Sequence, residues 1–147
     1  MAENDWHLTL SKTNACRRVN ASIIPTGHIM QQVFIELYNY KPAWKELSQG
    51  ERAAFIEKII EAVKGLKSAG VDVITQSLNS VATDRRAPYD FFCVYRVPNA
   101  EFQREFERQI AASGWYAYFD QANVSGDVGD FQDVLLGNAK LVLPAGS

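Results

Sequence analysis

Two amphipathic helix patterns, each stopped by a glycine, alternate with four segments of strand character, and their order β-α-β-β-α-β constrains the fold more than any other feature of the chain. Residues 29–40 (Ile-Met-Gln-Gln-Val-Phe-Ile-Glu-Leu-Tyr-Asn-Tyr) are rich in β-branched and aromatic side chains and predict a first strand ended by Pro42. Val33, Ile35 and Leu37 share one face of it; Gln32, Phe34, Glu36 and Tyr38 share the other. Ser48 and Glu51 have capping-box spacing, in which each side chain satisfies a free amide of the first helical turn. The helix that follows carries a stripe of Phe55, Ile59, Val63 and Leu66, widened by Ile56 and Ile60, and Gly70 stops it. Residues 71–82 predict a second strand and 82–88 a polar loop. Tyr89–Val97 predicts a third strand, closed by Pro98. Asn99 caps a helix with the stripe Phe102, Phe106, Ile110, and Gly114 ends it. The fourth strand is then the run Gly114-Trp115-Tyr116-Ala117-Tyr118-Phe119-Asp120-Gln121-Ala122-Asn123.

This order is that of the ferredoxin-like split unit: an α+β fold with a four-stranded antiparallel sheet and both helices on one face. The other face is left bare, and here it is apolar or aromatic in either register. Soluble monomers avoid large exposed apolar patches, so a homodimer is expected, sheet against sheet. Three segments follow: an N-terminal extension (1–28), the sheet-and-helix domain (29–124) and a tail (125–147) with a short helix capped by Asp130. The run Leu141-Val142-Leu143 in that tail suits an edge strand or an arm to a second subunit.

Composition excludes several function classes. The net charge of −2, with basic residues scattered, gives nothing to draw the molecule to nucleic acid or an anionic membrane. No apolar run approaches the roughly 20 residues that span a bilayer. Residues 1–28 lack the apolar centre of a signal peptide, so a cytoplasmic location is expected. Cys16 and Cys93 are far apart, and Cys93 in an apolar strand reads as a buried thiol. His7 and His28 stand near no cysteine cluster, so no metal site is expected.

The aromatic run puts four rings in five positions before Asp120, Gln121 and Asn123. As a strand it would direct Trp115, Ala117, Phe119 and Gln121 under the helices. Tyr116, Tyr118 and Asp120, the more polar set, would then face a ligand cavity. Glu36, in the middle of Val-Phe-Ile-Glu-Leu-Tyr, is costly to bury unless paired. Burial would raise its pKa and suit it to general-base work; an ion pair with Arg96 is the alternative. Asp90 either faces the ligand or caps a turn after Pro88, and Asn123 either orients a substrate oxygen or satisfies the strand end. Tyr38, Tyr95, Tyr116 and Tyr118 line a cavity or pack a core, and Trp44 covers a pocket mouth or packs under the first helix.

The element order, the strand-ending prolines, the length and the aromatic fourth strand resemble the dimeric α+β barrel superfamily over about residues 29–124. That group includes antibiotic-biosynthesis-type monooxygenases, muconolactone isomerases, stress-responsive barrel proteins and haem-degrading oxygenases. The run Gly-Trp-Tyr-x-Tyr-Phe-Asp-Gln-x-Asn is similar to the signature of a smaller uncharacterised bacterial subfamily. The haem-degrading members carry an axial histidine associated with the second helix, and residues 99–113 have none; His28 would have to reach in from before the first strand. The resemblance otherwise implies a cofactor-free enzyme using Asn, Trp and Tyr around an aromatic substrate, or an isomerase shuttling a proton on a carboxylate such as Glu36.

The expectation is a cofactor-independent oxygenase, isomerase or cyclase acting on a small aromatic or polyketide-like molecule. Glu36, Asp120 and Tyr118 are its catalytic candidates; Gln32, Phe34, Tyr38, Asp90, Tyr116, Asn123 and Arg96 are its binding candidates. The rival is a non-catalytic ligand-binding or stress-response barrel. An enclosed cavity faced by Glu36 or Asp120 separates the two.

Overall fold

The alternating segment after Gln31 is the centre of the molecule in the computed structural model, which describes residues 31–141. It forms β1 (Gln32–Tyr40), which pairs antiparallel with β3 (Phe91–Val97) on one side and β4 (Phe119–Asp127) on the other. β2 (Asp72–Leu78) joins the far side of β3, also antiparallel, so the sheet runs β2-β3-β1-β4. Five helices complete an α+β architecture: α1 (Pro42–Glu46), α2 (Gln49–Val63), α3 (Ala100–Ala112), α4 (Trp115–Tyr118) and α5 (Phe131–Ala139). The N-terminal segment 1–28 and the run 142–143 lie outside the described residues.

Local chemistry sets both N-caps and the end of α3 as their sequences imply, but α2 ends at Val63 with Lys64 as its C-cap, and turns carry the chain from there through Leu66 to Gly70. Ser48 Oγ accepts from the Glu51 amide, and the Glu51 carboxylate accepts from the Ser48 amide at 2.8 Å, completing the capping box. Asn99 Oδ1 accepts from the Phe102 amide at 2.8 Å. Gly70 (φ 93°) and Gly114 (φ 82°) occupy the left-handed region where a Cβ is disfavoured.

The loop between β2 and β3 is wider than alternation implies: β2 stops at Leu78 rather than near Ala82, and β3 starts at Phe91 rather than Tyr89. Side chains take over the hydrogen bonding there. Asn79 Nδ2 donates to the carbonyls of Ala87 and Tyr89, both at 2.9 Å, and the Arg86 guanidinium donates to the Asn79 carbonyl.

The aromatic run does not begin as a strand: Trp115–Tyr118 is a helical turn, and β4 starts only at Phe119. Two physical facts override the β-propensity of its rings. β1 ends at Tyr40, which pairs with Phe119, so residues 115–118 have no strand opposite them. The turn is also capped at both ends: Ser113 Oγ accepts from the Trp115 amide at 3.1 Å, while Lys41 donates to Tyr118 O from its amide (2.9 Å) and to Tyr116 O from Nζ (2.5 Å). The proposed split of the whole run into two strand faces is corrected accordingly. Only Phe119 and Gln121 of the first set follow strand geometry, on the face shared with Tyr40 and Tyr38.

Two apolar clusters lie between the sheet and the helices. One gathers Phe34, Leu66, Val71, Val97 and Phe106; the other gathers Tyr38, Phe91, Cys93, Trp115 and Phe119, with Trp44 and Phe55 packed against it. Trp44 therefore serves as core, its ring 4.7 Å from Phe119 and 5.6 Å from Tyr118. The opposite sheet face carries Val33, Ile35, Leu37, Phe92, Val94, Ala122 and Val124 in register. β2 is exposed along its whole length, α2 buries no residue fully, and α5 leaves Phe131 79% exposed.

Candidate functional site

Phe34, Glu36 and Tyr38 follow one another along the helix-facing side of β1, and the first and third anchor the two apolar clusters. The strand period thus places Glu36 at the junction of the clusters, 1% exposed. Register surrounds it: Cys93 of β3 lies opposite on one side and Asn123 of β4 on the other. Tyr95 and Gln121 are one pleat away, opposite Phe34 and Tyr38.

A cleft of about 220 Å³ opens above this point, between the sheet, α2 and α3. Glu36, Tyr38, Cys93 and Tyr95 contribute from the sheet; Ile56, Ile59, Ile60 and Val63 from α2; Phe106, Gln109 and Ile110 from α3. The widened stripe on α2, which no core residue fully covers, is its apolar roof. Trp115 lines it as well, and its buried indole N–H has no partner among the described residues. A larger hollow, about 480 Å³, lies along α3 beside Arg104, Glu107, Arg108 and Tyr116, but it is shallow and bordered by solvated arginines.

Hydrogen bonding fixes the Glu36 carboxylate. The Tyr38 hydroxyl donates to Oε2, and Gln121 Nε2 donates to Oε1 at 2.9 Å while also donating to Asn123 Oδ1 at 2.8 Å. Burial raises the Glu36 pKa above its ordinary value. Hydrogen bonds from Tyr38, Tyr95 and Gln121 act against that by favouring the charged form, and the Glu107 charge adds to the rise. Burial, reinforced by the nearby Glu36 charge, pushes the Tyr38 and Tyr95 hydroxyls upward, and burial pushes the Cys93 thiol to about 11. Cys93 is therefore a protonated wall of the cleft rather than a ready nucleophile. Among the described residues, no group of three or more His, Cys, Asp and Glu stands together to hold a metal ion, and Glu36 forms no ion pair.

Of the residues singled out from sequence, the cleft brings together Glu36, Tyr38 and Tyr95, with Asn123 reached through Gln121. The others lie elsewhere. Arg96 does not pair with Glu36: it alternates onto the opposite sheet face and stands 4.0 Å from Asp72. Asp120 is also on that face, with its side chain 69% exposed and 3.6 Å from Lys41 Nζ, because the strand begins at Phe119 and sets its phase. Tyr118 packs its ring 4.8 Å from Phe55, and Tyr116 borders the shallow hollow, since a helical turn directs both away from a strand face. Asp90 accepts from the Tyr40 amide at 2.9 Å, a backbone role. Gln32 donates to Asp127 at 3.0 Å near the other end of β1, and Phe34 is wholly core.

Cys93 and the isoleucines of α2 complete the site without having been candidates for it; Gln121 and Trp115, both from the aromatic run, join them. The signal for Cys93 was its alternation with Phe91 and Tyr95; the signal for α2 was an apolar stripe broader than one sheet contact needs. No helix among the described residues is long and apolar enough to cross a membrane. No curated protein matches the chain. A family model does match, over residues 31–141, which covers the sheet, the cleft and α5: the chain belongs to the family of unknown function DUF6616.

Proposed function

We propose that the chain is an acid–base enzyme that acts on a small ring-shaped molecule held in the Glu36 cleft, in a ferredoxin-like unit that dimerises as an α+β barrel. One observation carries the catalytic part: a carboxylate 1% exposed, with burial raising its pKa, lines a cleft that is otherwise mainly apolar. A carboxylate in that state takes a proton from an acidic C–H or O–H more readily than a solvated one. The Tyr38 hydroxyl, bonded to it, is placed to donate to an oxygen on which charge develops. Proton removal is the step shared by isomerisation, cyclisation and cofactor-free oxygenation with dioxygen as co-substrate. The strand order β2-β3-β1-β4 supports the ferredoxin-like reading, and the apolar row Val33, Ile35, Leu37, Phe92, Val94 supports sheet-to-sheet pairing.

The test begins with native mass spectrometry of the purified chain to identify a retained ligand. With that ligand or its analogues as substrate, Glu36→Gln is expected to lower kcat by about 10²–10⁴-fold, the usual worth of a general base. Unchanged turnover in a folded Glu36→Gln chain would reject the catalytic reading. Unchanged ligand retention with no turnover in either chain would favour a binding protein instead.

A further inference from the structure

Among the described residues, Glu36 is the one carboxylate that lines the cleft, and no lysine, arginine or histidine lines it. Its acidic groups, Glu36, Tyr38, Cys93 and Tyr95, converge from the sheet, and burial disfavours the charged form of each. Among the remaining polar lining, Ser113 is engaged, donating to Ile110 O at 2.6 Å and accepting from the Trp115 amide, Gln109 donates to Glu105 at 3.2 Å, and the Trp115 indole N–H offers one neutral donor. An anionic ligand would meet an acidic floor without a counter-ion, and a buried unpaired charge is expensive. A cation gains little net, because it too must be desolvated to enter, whereas beside the bonds from Tyr38 and Gln121 the carboxylate oxygens keep acceptor capacity for a neutral hydroxyl donor.

Size narrows the ligand further. At about 220 Å³ the cleft is smaller than sites for drug-sized molecules, which occupy roughly 300–1,000 Å³. Ile60 and Val63 of α2 and Val73 of β2 line it and remain partly open to solvent, so entry lies between α2 and the sheet edge.

We propose that Glu36 acts as a charge filter: the cleft admits an uncharged molecule of one or two fused rings whose hydroxyl donates to Glu36, and it rejects the same ring bearing a carboxylate. This rule rests on the reading of the cleft as a small-molecule site. It concerns selection rather than turnover.

Isothermal titration calorimetry of the full chain at neutral pH, with β-naphthol, β-naphthoate and β-naphthylmethylamine, tests it. β-Naphthol is expected to bind at least about tenfold more tightly than β-naphthoate. Glu36→Gln should raise β-naphthoate affinity by about tenfold. Ile60→Trp, filling the mouth, should abolish β-naphthol binding. The charge rule is overturned if β-naphthoate binds the native chain as well as β-naphthol, if the amine binds more tightly than β-naphthol, or if a folded Glu36→Gln chain discriminates as before. If Glu36→Gln does not fold, the native chain decides: β-naphthoate affinity must fall as pH rises above 4.5, where the carboxylate begins to ionise, while β-naphthol affinity holds, and a flat response overturns the rule. Binding of both ligands with equal strength, blocked by Ile60→Trp, defeats the charge rule and leaves the small-molecule site standing. Binding of none defeats both.

Discussion

Glu36 concentrates the chemistry of the chain in one side chain. Burial raises its pKa from an ordinary 4.5, so folding disfavours its ionised form. The sign of the linkage follows: its contribution to stability is full below about 4.5 and is lost as pH rises through the elevated folded value. Glu36→Gln, which cannot ionise, should therefore gain stability relative to the native chain as pH increases from 4.5 toward 8. Urea unfolding of both chains across that range measures the difference; a difference that shrinks or stays constant would contradict the assignment. The candidacy of Glu36 was legible from its place among Val, Phe, Ile and Leu, but its partners were not. Pairing with Arg96 is excluded by strand phase, and Gln121 becomes a partner only through a register set by where β4 begins.

At the scale of elements, sequence and structure agree wherever local bonding decides. The Ser48 capping box, the Asn99 cap and the Gly114 stop sit where their residue types place them, because each satisfies backbone groups within a few residues of itself, whereas α2 ends at Val63, before the expected stop at Gly70. They part at Trp115–Tyr118. Alternation and ring content favour a strand there, whereas the deciding facts are nonlocal: β1 has ended, and Lys41, far away in sequence, caps the turn. Gly114 makes that turn possible. An added Cβ would meet nothing within 4 Å, so Gly114→Ala acts through backbone strain alone at φ 82°. It should destabilise the chain by about 1–2 kcal/mol, read as a lowered midpoint in urea unfolding; an unchanged midpoint would show that the turn tolerates another conformation. α2 differs from α3 in burying no residue fully, which leaves its apolar stripe facing the cleft rather than a packed core.

For the whole molecule, the order of the four strands and two long helices was readable because each segment carries its own period, whereas the short helices α1 and α4 carry none and were not. The location of the cleft was not readable. It depends on which of two sheet faces the helices cover, and the helices took the face that bears Glu36. The other face keeps an apolar row with Val124 55% exposed. A homodimer through that row predicts that Ile35→Glu, opposite Val94 and Val124, yields a monomer in analytical ultracentrifugation, where the native chain sediments as a dimer. A native chain that sediments as a monomer at micromolar concentration would remove the barrel assembly while leaving the cleft intact.

Glu36 is a buried carboxyl group of raised pKa that lines an apolar cleft. Carbon-13 NMR of the chain labelled at the glutamate carboxyl carbon, titrated with pH and then with β-naphthol, tests this most directly, with Glu36→Gln assigning the resonance. One resonance should titrate clearly above 4.5, move when β-naphthol is added and be missing from the variant. A Glu36 resonance that titrates at or below 4.5, or that ignores the ligand, would contradict it.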